Sequence, residues 1–139
     1  MRYIFTIILF SLLLSCSTQR EIYVDNPQSL SFGSGGGFTG QTVEYKLQSD
    51  GKLWKYRSME KDSSWLEQLK KKQTKKVFKQ AYQLGLDTLM LNKPGNMNHF
   101  IRLKSKTLDN KIVWAKDSKQ VSNEIAEFYK ILINYTKPK

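Results

Sequence analysis

Alternating hydrophobic and polar residues predict a β-hairpin in the segment VEYKLQSDGKLWKYR, residues 43–57. Asp50-Gly51 lies between the two alternating runs, and Asp-Gly in that position is the strongest short-range hairpin signal. A two-residue turn there pairs Leu47 with Trp54, so the alternation produces one apolar and aromatic face. The residues expected on that face are Val43, Tyr45, Leu47, Trp54 and Tyr56.

A second pair of alternating runs, HFIRLKSKTLDNKIVWA at residues 99–115, predicts another hairpin. We expect its turn at Asp109-Asn110, because both residue types are common in turns. The preceding NKPGN segment, Asn92 to Asn96, is expected to be a turn as well. The face expected to be apolar carries Ile101, Leu103, Ile112 and Trp114.

Two segments have the hydrophobic spacing of helices. The first is expected from Ser64 to Leu84, since Ser64 and Glu67 fit a capping box. Gly85 then fits a C-terminal cap, with the residue after it folded back on the helix end. The second helix is expected to begin at Ser118. Its apolar stripe has spacings of 4, 3, 4 and 3 and consists of Val121, Ile125, Phe128, Leu132 and Tyr135.

The order of these elements predicts an α+β fold. Residues 29–32 are expected to form a short first strand, and the order along the chain is then strand, hairpin, helix, hairpin, helix. Each hairpin has one apolar face and each helix has one apolar stripe. We therefore expect an antiparallel sheet built from two β-hairpins and the short first strand, with two helices packed on one face.

The N-terminal segment is typical of an export signal. An apolar run at residues 4–14 follows a short basic start and is too short to span a bilayer, which takes roughly 20 residues. Leu13-Leu14-Ser15-Cys16 resembles the lipobox of bacterial lipoproteins, which implies cleavage before Cys16 and lipidation of its thiol. We expect a signal peptide at 1–15, a lipidated tether at 16–27 and a single α+β domain at 28–139.

Lipidation of Cys16 determines the expected location and cysteine chemistry. Cys16 is the only cysteine, so no internal disulfide forms and no free thiol remains after lipidation. Several acyl chains would anchor the protein firmly to the membrane of the bacterial cell envelope. Ser17, rather than Asp, follows the cysteine, which by resemblance to known sorting rules favours the outer membrane.

The chain expected after cleavage carries 22 basic and 12 acidic residues. One reading of this excess is contact with an anionic surface such as lipid headgroups or polysaccharide. The other is a solvated, highly charged helix face. Nucleic acid is not an expected partner, because no RNA-recognition, helix-turn-helix or zinc-finger signature is present. The lysines that would make an anionic-surface contact are Lys70, Lys71, Lys72, Lys75, Lys76 and Lys79.

A glycine-rich segment, FGSGGGFTGQT at residues 32–42, is the candidate binding loop. It matches dinucleotide and P-loop motifs by letter, but an alternating strand pattern follows it where those motifs need a helix. Gln41 also stands where a P-loop needs lysine. Glycines otherwise permit turns and close backbone approach, and successive N–H groups can form an anion nest. The loop residues are Gly33, Ser34, Gly35, Gly36, Gly37, Phe38, Thr39 and Gly40.

Catalytic motifs are not evident in the sequence. His99 is the single histidine and is expected to be a surface or half-buried strand residue. We see no Cys/His pair, no metal-spaced cluster and no Ser-His-Asp set in a suitable turn context, so no catalytic residue, cofactor or metal is expected.

The lipobox, the SFGSGGGFTG segment and the PGNMNHFIRLK…IVWA hairpin together resemble a group of small uncharacterised lipoproteins of Gram-negative bacteria. This resemblance implies location and fold more than activity. We expect a non-enzymatic binding or interaction module that uses the glycine loop or an aromatic hairpin face. The alternatives are an anionic-surface binder that uses the lysine-rich helix and, third, a small hydrolase with clustered acidic groups near the loop.

Overall fold

The structure, a computed structural model, describes residues 28–138. The predicted signal peptide at 1–15 and the predicted tether at 16–27, with Cys16, lie outside the described residues. The described chain forms strands β1 (Ser29–Gly36), β2 (Thr42–Gln48), β3 (Lys52–Arg57), β4 (Asp62–Gln68), β5 (Asn92–Lys93), β6 (Met97–Lys104) and β7 (Asp109–Ala115), and helices α1 (Lys71–Gln83) and α2 (Asn123–Asn134).

The described strands form one sheet in the order β4-β3-β2-β1-β6-β7-β5. Neighbouring strands are antiparallel except for the two-residue β5, which pairs with β7 in parallel. The α+β class and the largely antiparallel sheet predicted from the sequence are confirmed. The short β5 occupies the start of the NKPGN segment, which was expected to be a turn throughout.

β1 lies in the middle of the sheet although it comes first in the described chain. It pairs with β2 on one side and with β6 on the other. The prediction of a short strand ending at Phe32 is wrong, because β1 continues through the glycine segment to Gly36. Partner strands on both sides supply ladder hydrogen bonds that offset the conformational freedom of the glycines.

The first predicted hairpin is present as β2 and β3, but its register differs by one residue from the expected one. Leu47 pairs with Leu53, and Lys46 pairs with Trp54. Because side chains alternate between sheet faces, this shift places Trp54 and Tyr56 on the face opposite to Leu47. The predicted single aromatic face of this hairpin is therefore wrong.

The turn explains the different register. The connection has three residues, 49–51, rather than the expected two. The N–H of Gly51 donates to the carbonyl of Gln48 at 2.9 Å, and Gly51 has a φ of +91°. This is the three-residue hairpin connection in which a turn is followed by a left-handed glycine.

The second predicted hairpin is present as β6 and β7, with a turn at residues 105–108 instead of Asp109-Asn110. Lys104 pairs with Asp109, which begins β7, and the carboxylate of Asp109 accepts two hydrogen bonds of 2.6 Å from Arg102. The cross-strand ion pair gives Asp109 a role that its turn propensity does not indicate. The apolar residues predicted to share a face are all buried: Ile101, Leu103, Ile112 and Trp114.

The helix predicted from Ser64 begins later, because Asp62–Gln68 forms β4 and pairs with β3. Pairing with a neighbouring strand satisfies the backbone groups that a capping box would otherwise serve. Leu66 is an extra residue in a β-bulge on this strand. α1 begins at Lys71, where the Gln73 side chain accepts a hydrogen bond of 3.1 Å from the backbone N–H of Lys70.

The predicted end of this helix is confirmed. Gly85 has a φ of +69° and its N–H donates to the carbonyl of Tyr82 at 2.9 Å. The N–H of Leu86 donates to the carbonyl of Ala81 at 3.1 Å, and Leu86 is buried. This pair of hydrogen bonds is a Schellman motif, which only a residue that tolerates positive φ completes without strain.

α2 begins at Asn123 rather than at Ser118. The Ser122 hydroxyl caps it and accepts a hydrogen bond of 3.3 Å from the N–H of Ile125. Ser118 lies in the preceding turn, where its hydroxyl donates to the carbonyl of Ala115 at 2.8 Å. The predicted apolar stripe is correct, since Ile125, Phe128 and Leu132 are buried and Val121 and Tyr135 pack against the core.

The buried side chains form one cluster that includes residues from the sheet and from both helices. Its strand residues are Leu30, Phe32, Leu47, Leu53, Ile101, Leu103, Ile112 and Trp114, which occupy alternate positions along their strands. We call the opposite side of the sheet the open face. Trp54, Tyr56, Trp65 and Phe100 lie on the open face because their register positions alternate with those of the cluster.

The strand pairings also define two ends of the sheet. The entry end is where residue 28 joins β1, and it comprises residues 28–29, 48–52, 68–72 and 104–109. The distal end comprises residues 36–42, 57–62, 94–97 and 115–122. β1 runs from one end to the other over eight residues, a distance of about 24 Å at roughly 3.4 Å per residue.

Candidate functional site

The glycine segment is divided between a strand and a turn. Gly33, Ser34, Gly35 and Gly36 belong to β1, and residues 37–41 connect β1 with β2. The prediction that a strand follows the segment is confirmed, so the helix required by dinucleotide and P-loop motifs is replaced by β2.

Gly33 allows close packing in the middle of the sheet. A Cβ atom there would collide with the backbone carbonyl oxygen of Val43. On the open face Gly33 lies opposite Phe100, which is buried, and the Lys111 ammonium lies 4.5 Å from the centre of that aromatic ring. Gly33 is therefore architectural, because any side chain would push β2 away from β1.

The turn from Gly37 to Gly40 is closed by backbone hydrogen bonds. The N–H of Gly36 donates to Gln41 at 3.1 Å, and the N–H of Gly40 donates to Gly37 at 3.2 Å. The N–H of Gly37 donates to the carbonyl of Asn96 at 2.6 Å, which joins this turn to the segment before β6. The N–H groups of Gly36, Gly37 and Gly40 therefore already have carbonyl partners, which fixes the shape of the turn.

Phe38 lies at the tip of this turn and is fully exposed. Phe32, the other aromatic residue of the segment, is buried in the core, so the two phenylalanines have different roles. Met59 and Met97 are 64% and 37% exposed at the same distal end of the sheet. The N–H of Ser58 donates to the carbonyl of Thr42 at 3.0 Å, which places the Met59 turn next to the Phe38 turn. The distal end therefore presents three apolar side chains to solvent.

The open face carries aromatic residues that the predicted register assigned elsewhere. Trp54 pairs with Trp65, which is 55% exposed, and Tyr56 lies two residues further along β3. A shallow hollow of about 340 Å³ lies beside Tyr56, between the ends of β2, β3 and β4. A prediction with a three-residue turn at 49–51 would have identified this surface, because the length of the turn sets which residues of β2 and β3 share a face.

A second hollow, of about 440 Å³, lies between α2 and the ends of β6 and β7. His99 stacks on Tyr129 with ring centres 4.4 Å apart, and Trp114 meets both rings edge-on. The Tyr129 hydroxyl donates a hydrogen bond of 2.9 Å to the carbonyl of Gly33. Lys116 and Lys130 line the rim of the hollow. His99 is half-buried, as the sequence predicts.

The environment of this hollow favours neutral side chains. Burial lowers the pKa of His99 from its ordinary value of 6.5, and the positive charge of Lys116 lowers it further, against an opposing effect of Asp117. Burial also raises the pKa of the Tyr129 hydroxyl. Ser34 is the cross-strand neighbour of His99, but no hydrogen bond joins the two side chains within residues 28–138.

The six candidate lysines are all exposed, and they occupy the start and the outer side of α1. The buried residues of the same helix are Thr74, Val77, Phe78 and Ala81, on the opposite side. The ion pairs of Asp50, Glu60, Asp109 and Glu127 are with other basic residues. The structure therefore brings the lysines together on one surface, which lies apart from the glycine turn.

Residues 28–138 contain no group of three or more His, Cys, Asp or Glu side chains placed to hold a metal ion. No helix in the same part of the chain has the length and apolar character needed to cross a membrane. Neither a protein-family model nor a curated protein matches the chain.

Proposed function

We propose that this chain is a lipid-anchored protein of the bacterial envelope whose domain is a non-enzymatic binding module. Lipidation at Cys16 would attach it to the membrane, and Ser17 favours the outer membrane. The contact with its partner would be made by the distal end, at the Phe38 turn. The observation that supports this site is the full exposure of Phe38 on a turn held by backbone hydrogen bonds.

We infer that both helices cover the same face of the sheet and that the hairpins β2–β3 and β6–β7 flank β1 within it. The support is the alternation of the strand residues in the buried cluster, which includes buried residues of α1 and α2. The open face is then free of helices, and α2 begins at the distal end. This arrangement leaves two surfaces for contact, of which the distal end has the most exposed aromatic residue.

An exposed aromatic side chain on a fixed turn suits protein recognition. Aromatic anchors contribute most of the binding energy in many interfaces, and little conformational entropy is lost when the anchor is already held in place. The flanking Met59 and Met97 are adaptable apolar contacts. A protein partner with an apolar pocket for Phe38 is the chemistry that this end would recognise.

The test places a photo-cross-linking phenylalanine analogue at position 38 and, as a control, at position 107 of the entry end. We expect a discrete cross-linked protein from position 38 that survives high salt, because apolar contacts are not screened by ions. Phe38→Ala in the full chain should abolish co-purification of that protein. The same product from both positions, or none from position 38, would refute the proposed site.

Phe38→Ala is a cleaner variant than a substitution of Gly35. A Cβ atom at Gly35 would lie 2.5 Å from the Thr42 hydroxyl oxygen. Changing Gly35 would therefore disturb the pairing of β1 with β2 as well as any partner contact. Phe38 makes no contribution to the core, so its truncation changes the surface alone.

The proposed anchor has a separate test. Cys16→Ser should abolish incorporation of labelled fatty acid and release the protein from the membrane fraction, because no other residue offers a thiol. Retention of the variant in the membrane with no lipid attached would contradict the proposed anchor, whatever the cross-linking at position 38 shows.

A second candidate function is supported by the lysines of α1. Five of them lie within the helix, and its 13 residues include no acidic side chain. This surface would bind an anionic polymer such as a polysaccharide, and the binding would weaken strongly with salt. Recovery of only such a polymer, at low salt, would favour this function over the protein contact at Phe38. The third candidate, a small hydrolase, would need clustered acidic groups near the glycine turn, and the described residues contain no group of three or more Asp, Glu, His or Cys side chains placed to hold a metal ion.

A further inference from the structure

The two ends of the sheet differ in charge and in apolar exposure. The entry end has six basic and two acidic residues, whereas the distal end has four basic and three acidic residues. The largest exposed apolar side chains of the described residues include Phe38, Met59 and Met97 at the distal end and none at the entry end. The domain is therefore polarised along the direction of its strands.

The basic residues of the entry end come from separate segments of the chain. Lys52 begins β3, Lys70, Lys71 and Lys72 lead into α1, and Lys104 and Lys106 lie at the β6–β7 turn. All six are exposed. The two acidic residues pair with two of these lysines, Asp50 with Lys52 at 3.1 Å and Asp109 with Lys104 at 3.8 Å, and Asp109 also pairs with Arg102 at 2.6 Å. The fold thus gathers positive charge from three connections onto one surface.

The same end receives the chain from the proposed anchor. Residue 28 enters β1 there, and it lies 12 positions after Cys16 in the chain. Twelve residues span at most about 40 Å when fully extended. The lysine-rich surface is therefore always within about 40 Å of the membrane if Cys16 is lipidated.

We propose that the entry end docks on anionic phospholipid headgroups and so holds the domain upright, with the distal end about 24 Å further from the membrane. This inference rests on the proposed lipid anchor. Anionic headgroups attract clustered lysines within about one Debye length of the surface. The anchor would supply the proximity, and the lysines would supply the orientation that presents Phe38 to a partner.

The lysines are not placed in the way that would stabilise α1. Lys71 and Lys72 occupy its first turn, where the helix dipole disfavours positive charge, and no acidic residue is present there. α2 has the opposite arrangement, with Glu124 in its first turn. An external anionic surface accounts for a charge pattern that the helix itself disfavours.

The experiment uses the full lipidated chain in phosphatidylcholine vesicles, with and without phosphatidylglycerol. A polarity-sensitive label is attached at Thr107→Cys in the entry end or at Thr39→Cys in the distal end. Since Cys16 would be acylated, each new cysteine is the only thiol available for labelling. Quenching by neutral acrylamide then measures which end lies against the headgroups.

We expect the label at position 107 to be protected from quenching only in the anionic vesicles, and the label at position 39 to stay accessible in both. Each lysine near an anionic surface strengthens binding roughly fivefold, so replacing three should weaken docking roughly a hundredfold. The variant is Lys71→Gln, Lys72→Gln and Lys106→Gln. The matched control is Lys61→Gln, Lys93→Gln and Lys119→Gln, which removes the same charge from other surfaces and should leave the protection unchanged.

Other outcomes overturn the inference. Equal quenching at position 107 in both kinds of vesicle would show that the entry end does not dock on anionic lipid. Protection at position 39 would show that the distal end contacts the membrane instead. The mass of the purified chain separates this failure from failure of the anchor: lipid on Cys16 with no docking refutes the orientation alone, whereas absence of lipid refutes both.

Discussion

At the scale of single residues, Gly33 connects the glycine segment with the hollow beside α2. Its missing side chain lets the Val43 carbonyl approach closely, and its own carbonyl accepts the buried hydrogen bond from Tyr129. One position in β1 thus permits the close spacing to β2 and also provides a hydrogen-bond contact with α2. The requirement for glycine here is steric and arises from the neighbouring strand.

Gly33→Ala should destabilise the domain by roughly 2 kcal/mol, because the new methyl group forces the backbone of β2 to move. Gly40→Ala is the control. Unlike Gly33, Gly40 has a positive φ, but a Cβ there meets nothing within 4 Å, so only the left-handed conformation is disfavoured, by about 1 kcal/mol. Urea unfolding of the three proteins gives the comparison. A smaller loss at Gly33 than at Gly40 would contradict the steric role.

His99 should make stability depend on pH. Its pKa is lowered in the folded state, mainly by burial, so the unfolded state binds the proton more readily. The stabilisation is present above the unfolded pKa of 6.5 and is lost as the pH falls through the lower folded value. Unfolding free energies measured at about pH 7 and about pH 5 should therefore differ less in His99→Gln than in the native chain.

The single imidazole signal provides a direct check, since the chain has one histidine. Lys116→Gln should move the pKa of His99 back towards 6.5, because the Lys116 charge contributes to lowering it. An imidazole that titrates at or above 6.5 in the folded native protein would contradict the assignment.

At the scale of elements, the lysines of α1 destabilise the helix through their positive charges. Lysines at spacings of three and four residues repel one another, and those in the first turn oppose the helix dipole. Lys71→Glu with Lys72→Glu should therefore stabilise the domain by about 0.5–1 kcal/mol at low salt. The gain should shrink as salt screens the charges.

Lys106→Glu is the control for this prediction, because it makes the same kind of charge reversal, at one position instead of two, in a turn outside the helix. Its effect on the unfolding free energy should stay within about 0.5 kcal/mol. If the double glutamate variant is no more stable than the control, the lysines do not oppose α1, and the electrostatic argument for an external anionic surface loses its basis.

The sequence predicts elements with strong local signals and misses those that depend on a partner strand. The Asp50-Gly51 hairpin, the Gly85 cap and the apolar stripe of α2 follow from residues close together in the chain. The register of β2–β3 was wrong because one extra turn residue reverses every side chain. The start of the first helix was predicted too early because Ser64 and Glu67 match a capping box. In the structure the backbone of this segment pairs with β3 instead and forms β4.

The candidate site was predictable to the same degree. The sequence indicated that the glycines could serve turns and close backbone approach, and it correctly predicted a strand rather than a helix after them. The exposure of Phe38, Met59 and Met97 at one end was not predictable, because two turns and the start of β6 meet there only in the assembled sheet. The lysine surface of the entry end depends on the same assembly, since Lys106 lies far from Lys71 in the chain.

At the scale of the whole molecule, β1 lies between two halves of the domain and joins them. The first half follows β1 in the chain and comprises β2–β4 and α1, and the second comprises β5–β7 and α2. β1 pairs with β2, which is the next strand in the chain. It also pairs with β6, whose residues lie about 70 positions after those of β1. The buried cluster also contains residues from both halves. Neither half has a complete sheet or core without the other, so the described domain should unfold as one unit.

The Trp54→Phe, Trp65→Phe variant tests this cooperativity, because Trp114 on β7 is then the only tryptophan. Both replaced residues lie on the open face, so the cost to the core is small. Trp114 fluorescence and far-ultraviolet circular dichroism should give the same urea midpoint, since the fluorescence reports one half and the dichroism reports both. Separate midpoints would show that the two halves unfold independently.

The two edge strands of the sheet determine whether copies of the domain could associate with one another if they are held close together on a membrane. Copies confined to a surface meet repeatedly in two dimensions, and exposed strand edges are the usual sites of aggregation. Here one edge is β4, which has a bulge at Leu66, and the other carries only the two-residue β5. Both devices interrupt the continuous row of backbone donors and acceptors that a second copy would need. With the proposed lipid anchor, a dense layer of this protein should therefore remain a population of separate domains.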